Sequence, residues 1–164
     1  MNTIWHSILA TPLGALRATT DGASILALAF DAQKVSSSSL PPDAAVVIDT
    51  LRRQLDAYFA GRRTSFDVSL APTGTPFQRR VWAALCTVPY GETTSYAAIA
   101  QRIGSPTAVR AVGAANGRNP IAILIPCHRV IGSNGTLTGY AGGLDRKRAL
   151  LVLEAPVPFT CRAA

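Results

Sequence analysis

The chain has 164 residues, 48% of them hydrophobic, and a formal net charge of +7, which gives enough apolar material for one or two small domains with a real core. It contains no run of roughly 18 apolar residues of the kind that spans a membrane, so we expect a soluble, cytoplasmic protein. Three cysteines and two histidines are too few for a disulfide framework or a zinc site, and we expect no metal and no cofactor.

The basic surplus is confined to one part of the chain. Residues 1–76 hold six basic and six acidic side chains, whereas the residues from 77 onward hold ten basic and three acidic ones. A positive field of this kind favours a polyanion such as DNA. A basic, soluble surface without any ligand accounts for the charge equally well at this stage.

The first 70 residues predict a small antiparallel sheet followed by a helix. Apolar runs lie over residues 4–9, 16–20 and 25–30, and the Asp-Gly pair at 21–22 is a hairpin signal between two of them. A helix should follow the prolines at 41–42 and end near residue 60, with one more strand over residues 66–70. We interpret residues 1–70 as an α/β support domain that carries no chemistry.

A linker over residues 71–75 precedes a mainly helical second domain, over residues 76–155. Thr75, Pro76 and Gln78 supply an N-cap, a proline at the first helical position and a capping box. We expect Cys86 on the buried face of that helix. Residues 156–164 are interpreted as a mobile tail.

Two short helices joined by a tight turn, over about residues 94–117, predict a helix-turn-helix. Thr94 can cap the first helix and Gly104 can end it. On the second helix Arg110, Ala114 and Gly117 share a side, which presents one long cation on a nearly bare surface. Such a surface suits close approach to DNA, and close packing against another helix is the alternative.

The segment over residues 125–130 reads Ile-Pro-Cys-His-Arg-Val. The apolar run at 121–125 predicts a buried strand that the proline ends, so Cys127 should lie at a strand end. A thiol reacts as the thiolate, and free cysteine has a pKa of roughly 8.5, so a neighbouring group must take or offset the proton. His128 and Arg129 are the candidates.

The Pro-Cys-His-Arg-Val motif resembles the reactive site of the O6-alkylguanine-DNA alkyltransferases, or methylated-DNA–protein-cysteine S-methyltransferases. The likeness extends to Asn-Pro at 119–120 and to Gly-Tyr-Ala-Gly-Gly-Leu at 139–144, and it covers nearly the whole chain. It implies a DNA repair protein that moves the alkyl group of O6-alkylguanine, chiefly O6-methylguanine, in double-stranded DNA irreversibly to Cys127. Each molecule would act once, without a cofactor, after the helix-turn-helix has entered the minor groove and the base has been flipped.

The resemblance also implies roles for individual residues. His128 would accept the thiol proton through a water molecule, and Glu154 would orient the histidine. The substrate-binding positions implied are Tyr96, Asn119, Val130, Tyr140, Ala141 and Lys147. The DNA-binding positions implied are Tyr96, Arg110, Ala114, Gly117 and Arg129. Some relatives have serine where this chain has Ala141, so any contribution from that hydroxyl is absent.

Three other readings stay open. A binding-only, alkyltransferase-like protein recognises lesions without repair, but those relatives carry tryptophan at the reactive position, where this chain has Cys127. A cysteine hydrolase is disfavoured because neighbouring residues of an extended segment point to opposite sides. A transcription regulator leaves the cysteine unexplained. We expect a monomer, and cooperative binding to DNA is left open.

Overall fold

The computed structural model describes residues 3–156. The strands of that part of the chain are β1 (Trp5–Leu9), β2 (Leu16–Thr20), β3 (Ile25–Ala29), β4 (Thr94–Ser95) and β5 (Val130–Ile131). The α-helices are α1 (Pro42–Phe59), α2 (Pro76–Leu85), α3 (Tyr96–Arg102), α4 (Val109–Gly117) and α5 (Leu144–Glu154). No helix within residues 3–156 is both long and apolar enough to cross a membrane. The expected mobile tail lies outside the described residues, apart from Pro156.

The N-terminal part is a three-stranded antiparallel sheet covered by α1, in the order β1-β2-β3. Strand residues alternate between the two faces of a sheet, and one face is buried against the apolar side of α1. The buried residues of this interface are Leu9, Leu16, Ala18, Ile25, Leu28, Ile48, Leu51 and Leu55. The hairpin between β2 and β3 turns at Gly22, whose φ of +92° favours glycine. The predicted sheet, hairpin and helix are confirmed.

The strand predicted over residues 66–70 is wrong. Only Leu70 bridges to the sheet, opposite Ile25, and two backbone hydrogen bonds, Ile25 N–H to Ser69 O and Ala71 N–H to Ile25 O, complete the contact. The alternation of apolar residues was correct for a segment with one side against the core, but alternation alone does not create a ladder. Apart from this single bridge at Leu70, residues 66–70 form no strand.

Helix α2 begins as predicted, with Thr75 and Gln78 forming a reciprocal capping box. Its Trp82 is buried, and the indole Nε1–H donates to Ala115 O at 2.9 Å, which fixes α2 against α4. The expectation that Cys86 is buried is wrong, because the helix ends at Leu85 and the next residue is exposed.

Helices α3 and α4 form the predicted helix-turn-helix. Ser95, rather than Thr94, caps α3 by accepting a hydrogen bond from Ala98 N–H at 3.1 Å. Gly104 forms the turn with a φ of +72°. Immediately before α3, strand β4 pairs in parallel with β5, so the helix-turn-helix is hydrogen-bonded to the segment that follows Cys127.

The buried strand predicted over residues 121–125 is also wrong. Ile121 makes one bridge to Leu28, after which the chain folds into turns in which Ile123 has a φ of 70°. Asn119 holds these turns, donating from Nδ2 to Ile125 O at 2.7 Å and accepting from Ile121 N–H at 3.1 Å. The apolar run is buried as expected. Ala122 N–H donates to Leu28 O of β3 at 2.8 Å, but the N–H groups of Leu124 and Ile125 are satisfied within the run itself, by Ala122 O and Ile121 O. Cys127 consequently opens a short 3-10 helix, Cys127–Arg129.

Candidate active site

Cys127 lies on a cavity of about 230 Å³. Its side chain is nearly buried, with 5% exposure, yet it faces this space together with Asn116, Asn119, Tyr140 and Ala141. The opposite wall comes from the N-terminal part of the chain, at residues 28–31 and Lys34. The sulfur is therefore enclosed by both parts of the molecule but remains open to a ligand-sized volume.

The protonation state of Cys127 follows from its burial. Desolvation raises the pKa of the thiol above its usual value, and a hydrogen bond from Asn119 and the nearby charge of Lys147 oppose that rise only in part. At neutral pH the resting group is a thiol. A proton acceptor must act when the sulfur reacts, because only the thiolate is nucleophilic.

His128 is the candidate for that acceptor. It is fully buried, and burial lowers the pKa of its imidazole, so the ring is neutral. Its Nε2 lies 2.8 Å from Oε1 of Glu154, which assigns the N–H to that nitrogen. Its Nδ1 has no hydrogen-bond partner among the described residues, so it is free to take a proton.

Glu154 is the centre of a buried hydrogen-bond network. Arg129 donates from Nε to Oε2 at 2.8 Å and from its terminal nitrogen to Oε1 at 2.9 Å, and Tyr58 donates its hydroxyl to Oε1 at 2.7 Å. Burial would raise the pKa of the carboxyl, but the hydrogen bonds from His128 and Arg129 outweigh it and hold the pKa at about 2. The carboxylate is ionised and paired with the Arg129 charge.

The structure corrects the prediction that Arg129 contacts DNA. Its side chain is buried, with 8% exposure, and its guanidinium faces Glu154 and Val88 O, the latter at 2.6 Å. A guanidinium with these partners is directed into the molecule and away from any external phosphate. Sequence proximity to Cys127 gave no information on the direction of the side chain.

Lys147 and Tyr96 hold the loop that carries Tyr140. Lys147 is fully buried and donates from Nζ to Val130 O at 2.6 Å and to Thr138 O at 2.8 Å. Tyr96 donates its hydroxyl to the same Thr138 carbonyl at 3.1 Å. The Val130 carbonyl, predicted to receive the guanine amino group, therefore already accepts a hydrogen bond from Lys147.

The exposed side of α4 carries the predicted DNA-binding residues. Arg110, Ala114 and Gly117 are exposed, whereas Val112, Ala115 and Asn116 of the same helix are buried. Gly113 lies between the two sides, against the Tyr96 ring. The cation and the small residues share one face, as the helical period requires.

Two residues of the site were missed in the sequence. Asn116 donates weakly from Nδ2 to Cys127 O at 3.4 Å, and its Oδ1 has no partner among the described residues. An asparagine on the apolar side of a helix was a usable signal for a polar role. Tyr58 gave no such signal, because an aromatic residue at helical spacing reads as core. No group of three or more histidine, cysteine, aspartate or glutamate side chains suited to a metal occurs within residues 3–156.

The fold and the site define a helix-turn-helix protein with a buried cysteine, histidine and glutamate beside a cavity. Family models agree over both parts: the DNA-binding domain of 6-O-methylguanine DNA methyltransferase matches residues 76–156, and the ribonuclease-like domain of the same family matches residues 4–72. The chain belongs to the 6-O-methylguanine DNA methyltransferase family, which confirms the resemblance drawn from the motif.

Individual relatives cover much of the chain. It is 66% identical over 110 residues to the methylated-DNA–protein-cysteine methyltransferase of Mycobacterium bovis, an alignment that covers 65% of this chain and 67% of that protein. The crystal structure of the Mycobacterium tuberculosis O6-methylguanine methyltransferase superposes with a TM-score of 0.81 at 47% identity, covering 94% of this chain and 96% of that one. The M. tuberculosis protein in complex with DNA gives a TM-score of 0.79 at 50% identity, covering 93% and 95%.

Proposed function

We propose that this protein is a methylated-DNA–protein-cysteine methyltransferase that repairs O6-alkylguanine by moving the alkyl group to its own Cys127. The observation that carries the proposal is the Cys127 thiol on an open cavity, followed in the chain by a neutral histidine that is hydrogen-bonded to Glu154. The family membership and the DNA complex of a close relative support DNA as the partner.

The transfer is a direct displacement at the alkyl carbon. The sulfur of Cys127 attacks that carbon, so one S–C bond forms as the C–O6 bond breaks, and the bonding electrons leave with guanine. The thiol proton passes through a water molecule to Nδ1 of His128, where no described group competes for it. The proton is then available to neutralise the departing guanine, so the overall reaction neither gains nor loses protons.

Glu154 and Lys147 support the charges that develop in this step. The ionised carboxylate faces Nε2 of His128 and stabilises the imidazolium that forms at the moment of transfer. The Lys147 charge favours the thiolate. Burial makes both effects stronger than they would be in water.

The exposed face of α4 is the proposed DNA contact. Arg110 would enter the base stack in the minor groove where the damaged nucleotide leaves, and Tyr96 would press on the backbone beside it. Extrusion costs a few kcal/mol of unstacking and costs least for a base that pairs badly. Ala114 and Gly117 leave room for the helix to approach the groove closely.

Tyr140, Asn119, Val130 and Ala141 would hold the extruded base. Tyr140 offers an aromatic wall beside Cys127, on which a base can stack. Asn119 keeps the turns before Cys127 in place, the Val130 carbonyl would accept from the guanine amino group, and the backbone N–H of Ala141 would donate toward O6. These roles follow the family pattern and the shape of the cavity.

The reaction would be stoichiometric. A thiolate is a poor leaving group from the methyl carbon of a neutral thioether, so the alkyl group stays on Cys127 once it has been transferred. The division into residues 1–70, 71–75 and 76–155, the monomeric state, the cytoplasmic location and the lack of a cofactor stay predictions.

The test is the mass of the protein after incubation with duplex DNA that contains one O6-methylguanine. We expect the peptide that bears Cys127 to gain one methylene, and the gain to stop at one per molecule. Tight binding to the lesion without any change of mass would instead support a binding-only protein. Cleavage of a substrate with regeneration of the free thiol would support a hydrolase.

A further inference from the structure

The one polar link between the N-terminal helix α1 and the catalytic carboxylate, among residues 3–156, is the hydroxyl of Tyr58. It donates to Oε1 of Glu154 at 2.7 Å, across 96 positions of sequence, and neither residue is accessible to solvent to any significant extent. The same oxygen faces Nε2 of His128 at 2.8 Å. Tyr58 and His128 therefore share one oxygen of the Glu154 carboxylate as their hydrogen-bond partner.

We infer that Tyr58 is a positioning residue for alkyl transfer: its hydroxyl fixes the Glu154 carboxylate and limits how strongly that carboxylate holds a proton on His128. This inference rests on the proposed function and adds to it a residue from the N-terminal part of the chain.

The packing around Tyr58 makes the hydroxyl a fixed donor. Its ring meets those of Phe59, Phe66 and Tyr90 at centroid distances of 5.3, 5.4 and 6.2 Å. Burial raises the pKa of Tyr58, and the Glu154 charge raises it further, so the phenol stays protonated throughout the working pH range. A protonated phenol in a rigid aromatic cluster can only donate to the carboxylate.

The charged and titratable groups around the carboxylate determine the sign of the effect. They are Tyr58 from α1, Tyr90 from the turn after α2, His128 and Arg129 from the 3-10 helix, and Tyr140 from the loop before α5. Lys147 of α5 acts on His128. Each hydrogen bond donated to Glu154 reduces its basicity. Loss of the Tyr58 donor would leave a more basic carboxylate, which stabilises the imidazolium and raises the pKa of His128.

Tyr58→Phe tests the inference, since it removes one oxygen and keeps the ring. Tyr90→Phe is the matched control, because it removes the same atom from the same aromatic cluster, where the hydroxyl donates to Leu153 O at 3.3 Å and to no other group of residues 3–156. The rate of transfer from free O6-benzylguanine to Cys127 is measured against pH for both variants, which leaves DNA binding out of the comparison.

For Tyr58→Phe we expect the acid limb of the profile to move to higher pH, because the pKa of His128 rises. We expect the plateau rate to fall by about tenfold, because the Glu154 carboxylate loses one of the hydrogen bonds that hold it in place. Tyr90→Phe should leave the limb in place. A structural defect alone would lower the rate equally at all pH values, so an unmoved limb in Tyr58→Phe would overturn the inference while the unaltered protein still transfers. Failure of the unaltered protein to transfer would overturn the proposed function and this inference together.

A double variant adds an independent readout. If Tyr58 acts through Glu154, Tyr58→Phe should have little further effect on the limb in a Glu154→Gln background, because coupled residues are not additive. Equal shifts in both backgrounds would contradict a role through the carboxylate.

Discussion

The buried network around Glu154 and the exposed side of α4 are opposite in construction. Four donor groups from two segments converge on one carboxylate that is 2% exposed, whereas α4 presents an arginine among residues with almost no side chain. The first arrangement fixes proton positions and tolerates little change. The second leaves space for a partner. Substitutions should therefore separate the transfer step from DNA recognition. The rate of transfer from a free alkylated base should depend on the network alone, whereas the rate from duplex DNA should depend on both the network and α4.

The largest effect is expected at the sulfur. Cys127→Ser should abolish transfer to the protein from both substrates, because a hydroxyl beside a neutral imidazole is a far weaker nucleophile than a thiol. Binding of duplex DNA should be retained, as measured by fluorescence anisotropy. Cys86→Ser is the control, since that thiol is exposed outside the network; loss of transfer in the control would break the assignment of the nucleophile.

Glu154→Gln should have the second-largest effect, because it removes the negative charge at the centre of the network. It leaves the Arg129 charge buried without a counterion, which costs about 3–5 kcal/mol in the free energy of unfolding, and it should slow transfer from both substrates by roughly 100-fold. Chemical denaturation and single-turnover kinetics check the two effects. Glu92→Gln, at an exposed position, should change neither, and comparable losses there would remove the special status of Glu154.

Arg110→Ala should separate the two regions. We expect transfer from duplex DNA to fall by roughly 10- to 100-fold, reflecting a few kcal/mol of lost support for base extrusion. Transfer from free O6-benzylguanine should be unchanged. Arg53→Ala removes another exposed arginine, from α1, and should not affect transfer from either substrate. Equal losses on both substrates in Arg110→Ala would contradict the separation of recognition from chemistry.

The pH dependence of the transfer rate should be determined by the Glu154 network alone. Burial lowers the pKa of His128, so the acid limb of the transfer rate should lie below the usual histidine value of roughly 6.5, with O6-benzylguanine as the substrate. The lowered pKa of His128 also makes the free energy of unfolding depend on pH. The stabilisation that this histidine contributes is complete above about pH 6.5 and is lost as the pH falls through its lower folded-state pKa. His6→Gln should leave the limb unchanged. A limb at or above pH 6.5 would mean that the histidine is not held neutral.

Gly113→Ala should give the smallest effect and the opposite sign in stability. A methyl group there meets the Tyr96 ring at 3.8 Å, an ordinary contact, so α4 should gain about 0.5–1 kcal/mol from lost backbone entropy in the unfolded chain. Repair of duplex DNA should become slightly slower, because the added methyl group lies at the edge of the exposed side of α4 and leaves less room for the DNA. Gly104→Ala, at a φ of +72°, should instead destabilise. A stabilised Gly113→Ala with unaltered repair would argue against close approach of α4 to DNA.

Short sequence patterns predicted most of the helices and strands. They failed where an element depends on contacts with residues far away in the sequence. The capping box at Thr75 and the hairpin at Gly22 are local, and both are found. The apolar run ending at Ile125 was correctly predicted to be buried, but its single bridge to Leu28 depends on a residue far away in sequence. Burial can be read from composition, whereas strand pairing requires knowledge of the partner strand.

The sequence by itself determined the family, the helix-turn-helix and the side of α4 that carries Arg110, and it identified Cys127 as the candidate nucleophile. These follow from a contiguous motif and from the helical period, both of which are local. The tertiary structure decided that Arg129 faces inward, that Asn116 lies beside Cys127 and that Tyr58 reaches Glu154. The direction of a side chain and its hydrogen-bond partners depend on segments that are distant in sequence and pack together only in the fold. In the low-dielectric interior, a buried charge is also stable only beside a partner of opposite charge.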